Sequence, residues 1–256
     1  MKKIATLNKA TQGLEKYLEE TLPQNRSWEN FRNFPGYENA DGHRAHRELM
    51  LALSKQQHGL CAYCEIELKE ADRQIEHFHP KSKNKDRAFD VSNLLVACKG
   101  GEDFVNRLEP IKENLSCGAF HGNEELQDDQ HPFHLPAMPS IFLAHLEIDK
   151  VVIRVDGKAC ENTAILTEQA EAMLSCFNLN CTRLRNARFE IWKKLEEDLL
   201  QLWEEGKSDD EAFSELAGVY LLPDNSGKLP PFFTTRRSFL GESAEELLRN
   251  HPEGWI

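Results

Sequence analysis

No run of apolar residues in this chain is long enough to cross a bilayer. The start, MKKIATLNKATQGLEKYLEE, is charged, with no apolar stretch behind it of the kind a signal peptide needs. The expected compartment is therefore the cytoplasm, with no membrane partner. An excess of positive charge is also missing: 31 Lys and Arg stand against 43 Asp and Glu, for a net charge of −12. Affinity for a polyanion comes mostly from cations that neutralise phosphates, so the balance argues against a free-standing nucleic-acid binder. Nor is there an even number of cysteines. Seven cannot all pair, and in a reducing compartment they read better as metal ligands or buried thiols than as disulfides. Internal repeats and low-complexity segments are not evident.

What is present is an ordinary globular composition of 256 residues, 40% hydrophobic and 29% charged, divided by pattern into three segments. Residues 1–58 read as helical, broken around Pro23 to Pro35, with Ala45, Leu49, Met50 and Leu53 on one face of a helix over 45–57 that Gly59 closes. The period then changes. Within 59–130, short apolar stretches at 73–78 and 93–97 predict the two strands of a hairpin. Residues 131–256 return to mainly helical spacing after a hairpin expected over 148–154, turning near Asp156 and Gly157. Helices are expected over 167–177, along a stripe of Leu184, Ile191, Leu195, Leu199 and Leu202, and after a capping box of Ser208 and Glu211, the last ended by Pro223. A short helix is expected at 245–248. Trp255 and Ile256 near the end call for cover, either from the chain's own helical half or from a partner.

The chemistry concentrates in "CAYCEIELKEADRQIEHFHPKSK", residues 61–83. Cys61 and Cys64 enclose two residues, the gap that lets one short loop present both thiolates to a tetrahedral zinc. Cys98 ends the second predicted strand and Cys117 stands where a helix could begin, so the fold can bring these two in to complete a four-thiolate site. The alternative is four buried free thiols. A four-thiolate zinc is closed and holds structure rather than catalysing. Cys160, Cys176 and Cys181 are assigned to packing of the helical half. Cationic residues Lys81, Lys83, Lys85 and Arg87 follow the histidines directly, while Glu124, Glu125, Asp128 and Asp129 gather further on. His43 and His46 could share a helix face but are expected on an exposed polar edge, and His131, His134, His145 and His251 have no supporting pattern.

Residues 75–80 read Ile-Glu-His-Phe-His-Pro, and Asn93 follows in Asp90-Val-Ser-Asn-Leu-Leu-Val-Ala-Cys98. Over roughly residues 59–123 this resembles the HNH endonuclease motif, in which an acidic residue and a histidine end a first strand, an asparagine begins a second, and a helix supplies a further metal ligand. The resemblance implies an α+β fold, a mainly helical chain with an embedded zinc-stapled ββα-metal module. It implies Glu76 as a ligand for a catalytic Mg²⁺ or Mn²⁺, His77 as general base, and Asn93 as the side chain that ties the loop and orients His77. Lys81, Lys83 and Arg87 would hold the nucleic-acid backbone. On a flat strand Glu76 and His77 point to opposite faces, so they can serve one site only where the strand ends, which Pro80 favours. The family pattern places a histidine or asparagine ligand directly after the last cysteine, and here that residue is Gly118. His121, Asn123 and His79 are the candidates to replace it. A zinc-stabilised adaptor without catalysis is the alternative function.

"CAYCE", "IEHFHPKS", "NLLVAC" and "FNLNCTRLRNAR" together are similar to the PtuB type of HNH protein, found in Septu and retron-linked antiphage defence. That resemblance implies a PtuA-like ATPase partner and, in the retron setting, a reverse transcriptase with its RNA–DNA product. A partner would also supply nucleic-acid surface that an acidic chain lacks.

Overall fold

The helix expected over 45–57 forms as α3, Ala45–Gln56, with Ala45, Leu49 and Leu53 buried. In front of it lie α1, Gln12–Glu20, and α2, Trp28–Arg32. These come from a computed structural model that describes residues 1–102, 112–122 and 134–255. α2 sits inside the stretch that Pro23 and Pro35 marked as a break. Ser27 starts it, its hydroxyl accepting from the Asn30 N–H, and Trp28 and Phe31 are its buried residues.

β1, Arg73–His77, pairs antiparallel with β2, Leu94–Cys98, in a register running from Arg73 opposite Cys98 to His77 opposite Leu94. Every residue of β2 is buried, because both α3 and α4, Cys117–His121, pack on it. Such cover explains why "LLVAC" shows no alternation. The end of α3 is pinned to β2 by Gln57, whose amide donates to the Leu60 and Val96 carbonyls and accepts from the Val96 N–H.

The second hairpin differs from expectation. It is β3, Phe142–Glu147, with β4, Lys150–Val155, and the tight turn lies at Ile148 and Asp149, the latter in the left-handed region at φ 55°. Asp156 does not turn the hairpin. Its carboxylate accepts from the Ala159 N–H and so caps α5, Gly157–Glu161. Then come α6, Thr167–Cys176, α7, Thr182–Glu204, and α8, Asp209–Leu221, which opens on the Ser208–Glu211 capping box. In place of a short helix at 245–248 the chain forms α9, Phe233–Asn250, interrupted at Gly241, where φ is 54°. Trp255 is covered by the chain's own helices. It stacks on Phe233, donates from its indole to the Leu248 carbonyl, and carries Arg237 over its ring.

One apolar core runs through all three segments, from Tyr17 and Phe31 through Tyr63, Phe78 and Leu95 to Met173, Phe177 and Leu184. Cys160, Cys176 and Cys181 pack in it or against it. A second cluster joins α7, α8 and α9 around Leu202, Leu216, Phe233 and Trp255. The stripe on α7 buries Leu184, Leu195, Leu199 and Leu202, and also Arg188, which satisfies itself on the Leu179 carbonyl at 2.7 Å.

Candidate active site and metal centre

Four sulfurs meet where the loop before β1, the end of β2 and the start of α4 converge. Cys61, Cys64, Cys98 and Cys117 are all buried, with their Sγ atoms within 4.8 Å of one another. The Cys61–Cys117 and Cys98–Cys117 separations are 3.8 Å, and Cys64–Cys98 is 3.7 Å. A tetrahedron with metal–sulfur bonds of about 2.3 Å has edges of about 3.8 Å, so the spacing is that of a zinc site. Backbone N–H groups of Cys98 and Gly100 point at the Cys61 and Cys98 sulfurs, at 3.3 and 3.4 Å, an arrangement that suits thiolates. Burial works against ionising Cys61. Hydrogen bonds from the Cys117, Cys64 and Cys98 thiols nevertheless hold it well below the ordinary thiol value. These four cysteines can hold a zinc, and with no open position it would be structural.

The residue after Cys64 ties this cluster to the far end of the chain. Glu65 takes φ 63°, and its buried carboxylate accepts from the backbone N–H and the hydroxyl of Thr234 at the start of α9, at 2.8 and 2.6 Å. On the α4 side, the Cys117 N–H donates to the Phe177 carbonyl at 2.9 Å, and Tyr63 stacks on the Phe177 ring with centroids 4.0 Å apart.

Beyond the cluster β1 reaches its end. Its last residue is His77, and Pro80 follows in the outgoing loop. Asn93 clasps that loop. Its side chain accepts from the His79 N–H at 2.7 Å and donates to the carbonyls of His79 at 3.1 Å and Arg87 at 3.0 Å. Next to Arg87, the Ala88 carbonyl lies 3.0 Å from His77 Nε2. A carbonyl only accepts, so Nε2 carries the proton and Nδ1 keeps its lone pair. Trp28 from α2 packs edge-on against the imidazole at 4.4 Å. Burial, then the Lys81 charge, push His77 down to about 4, with the Ala88 bond pulling the other way. It is neutral at physiological pH.

Glu76 stands against α4. A Cβ at Gly118 would lie 2.6 Å from its Oε2 and 3.0 Å from Oε1, so the carboxylate fills the space where a side chain at 118 would be. Burial, reinforced by Cys61 and opposed by Lys81, pushes its carboxyl up to about 7.

Glu76 and His77 both line a cleft of about 670 Å³. Every residue of β1 contributes to the lining, together with Trp28 and Arg32 of α2, His46 and Met50 of α3, Lys81 in the loop, and Gly122 after α4. Among the described residues β1 pairs with β2 alone, and the cleft follows its open edge. For that reason side chains from both faces of the strand reach it.

Of the other residues singled out by sequence, Lys81 lines the cleft, while Lys83 and Arg87 do not. His79 is buried edge-on to Phe78, away from the lining, and His121 is buried on α4 with its ring 5.4 Å from Phe177. Asn123 lies outside the described residues, as do His131, Ile256 and the acidic run Glu124, Glu125, Asp128 and Asp129. Among the described residues the four cysteines are the group in which three or more His, Cys, Asp or Glu donors converge, and Glu76 has no such set around it. Sequence reasoning missed Trp28, Arg32 and Arg73. His46 is half-buried in the cleft wall rather than on an exposed edge, pushed down to about 4 by burial and by Arg32. No spacing signal could have found Trp28, Arg32 or His46, because tertiary packing alone brings α2 and α3 to β1.

No family model matches the chain. The chain is similar to the "Retron Ec83 putative HNH endonuclease" of Escherichia coli, 30% identical over 193 residues that cover 65% of this chain and 70% of the relative.

Proposed function

The chain belongs to the HNH endonuclease family, and on that footing we propose that it hydrolyses phosphodiester bonds of DNA or RNA at the end of β1. The supporting observation is that Glu76 and His77, adjacent in sequence, line one cleft in which His77 is neutral and held in a single tautomer. In this reading β1, β2 and α4 serve as the ββα-metal module, with Asn93 fixing the loop that carries the Ala88 carbonyl. His77 Nδ1 takes a proton from a water as that water's oxygen bonds to phosphorus, and the bridging P–O bond breaks.

Glu76 offers a hard oxygen donor, which suits Mg²⁺ or Mn²⁺. Mg²⁺ keeps several waters and is commonly held by one or two carboxylates plus substrate phosphates, so a lone carboxylate fits a metal that arrives with the substrate. Bound there, the ion would stabilise charge on the leaving oxygen. Purified protein is expected to nick plasmid DNA or structured RNA when Mg²⁺ or Mn²⁺ is added. His77→Ala should lower the rate by about 10²–10⁴-fold while zinc content and the circular-dichroism spectrum stay unchanged. Equal rates for the two proteins would sink the mechanism.

Proton competition gives a second expectation. The Glu76 carboxyl sits at about 7, raised above its ordinary range, so below that pH a divalent ion must displace a proton to bind. Mn²⁺ affinity measured by calorimetry should fall by about tenfold per pH unit below 7 and level off above it. A flat profile from pH 5 to about 7 would remove Glu76 from the ligand set.

We propose further that the nuclease works in antiphage defence with a PtuA-like ATPase, in a retron setting with a reverse transcriptase and its RNA–DNA product. The name of the relative supports the retron setting, and the net charge of −12 supports a partner that supplies nucleic-acid surface. A second reading, an adaptor that binds zinc alone, is favoured by the lack of a converged ligand set around Glu76 among the described residues. Metal titration with an oligonucleotide present separates the two: a second ion lost in Glu76→Ala supports the enzyme, and zinc alone supports the adaptor.

A further inference from the structure

Arg32, Arg73 and Lys81 lie far apart in sequence, at the end of α2, the start of β1 and the loop beyond it, yet all three line the cleft. Glu76 is the single carboxylate in that lining, so three basic side chains face one acidic one in a chain whose net charge is −12. Among the described residues none of the three cations makes an ion pair or a side-chain hydrogen bond, although acidic residues outnumber basic ones. The Arg73 Nε is buried without a hydrogen-bond partner among those residues. Like charges are crowded here: burial and Arg32 both work against the Lys81 ammonium, which also sits 5.9 Å from the Trp28 ring. Arg73 is half-buried, while Arg32 and Lys81 are exposed and repel each other, so an anion that enters the cleft relieves that repulsion and meets cations with no competing ion pair among the described residues.

We propose that Arg32, Arg73 and Lys81 form a phosphate-binding site that holds the substrate backbone beside Glu76 and His77, with the N-terminal helical segment as one wall. The site rests on the nuclease reading for its ligand, a phosphodiester of a nucleic-acid strand. It goes beyond that reading by making α2, which lies outside the motif, part of the substrate site. Lys83 and Arg87 are on the same loop as Lys81 but outside the lining, and they do not belong to it.

The test is binding without cleavage. In a His77→Ala background with no Mg²⁺ or Mn²⁺ added and the structural zinc left in place, a fluorescent single-stranded oligonucleotide is titrated by anisotropy over a range of salt concentrations. Arg32→Ala and Lys81→Ala should each weaken binding several-fold at low salt, and each should reduce the slope of log K against log salt by about 0.7. Lys83→Ala should leave that slope unchanged. Arg32 is exposed at the end of its helix, so its removal does not threaten the fold, and Arg32→Glu should weaken binding further. Unaltered slopes in both Arg32→Ala and Lys81→Ala would overturn the site. So would inorganic phosphate that binds tightly to a protein with no affinity for the oligonucleotide, since the source would then be a free phosphate. The nuclease reading is judged separately, by whether wild type cleaves and His77→Ala does not.

Discussion

Cys64→Ser, or removal of zinc by a chelator, is expected to unfold the chain well beyond the loop that carries the cysteine. Zinc held by thiolates in small stapled modules contributes on the order of 10 kcal/mol to folding, comparable to the whole stability of a typical domain, about 5–15 kcal/mol. The damage spreads because the cluster is not isolated. Tyr63 stacks on Phe177, the Cys117 N–H holds the Phe177 carbonyl, and Glu65 holds the start of α9. Loss of helical circular dichroism should therefore track zinc loss, with metal analysis giving a single zinc per folded chain. A soluble, fully active variant with Cys61, Cys64, Cys98 and Cys117 all replaced by serine would refute the assignment.

Gly118→Ala should behave in the opposite way, leaving the fold and removing the activity. The added methyl would approach Glu76 Oε2 to 2.6 Å, a distance that cannot stand. What yields is the end of a flexible side chain, so the cost in stability is small, about 1–3 kcal/mol at most. What moves is the carboxylate proposed to meet the metal. Zinc content should be unchanged and the melting temperature only modestly lower, while metal-dependent cleavage falls to the level of Glu76→Ala. Gly118→His, which puts the ligand of the family pattern back into the sequence, is expected to be equally inactive, because the imidazole would have to enter the volume that Glu76 occupies. Wild-type cleavage by either variant would show that the position of Glu76 does not matter.

Local signals carried much of the fold. The apolar face of α3, the stripe of α7 and the Ser208–Glu211 box lie within single helices, and the change of period at 73–97 marks β1 and β2. Where one local signal has two meanings, the sequence misleads. Asp156-Gly157 looks like a turn, yet Asp156 caps a helix, and the true turn at Asp149 has no glycine to announce it. Gly241 interrupts the pattern of α9 without ending it, which hid most of that helix. The site divides in the same way. Cys61 and Cys64 are neighbours and could be paired by spacing, and the run from Glu76 to Lys81 is continuous. Trp28, Arg32 and His46 reach the cleft only because Phe31 and Tyr17 seat the N-terminal helices in the common core. No periodicity encodes that contact.

The bond between Glu65 and Thr234 spans 169 residues of chain. A ribosome delivers the cysteines, Glu76 and His77 early, but it delivers Phe177, which steadies α4 behind the Glu76 carboxylate, and Thr234, which holds the buried Glu65, much later. A growing chain thus carries the residues proposed to cut long before it has the floor and the latch that set them in place. The Met1 ammonium, 3.5 Å away, offers the buried Glu65 carboxylate an early partner, but the two Thr234 hydrogen bonds complete its surroundings only once the start of α9 is made. For a chain proposed to sever phosphodiester bonds, the last contacts behind the site would then be the last to be synthesised, and a chain truncated before Thr234 is expected to lack them.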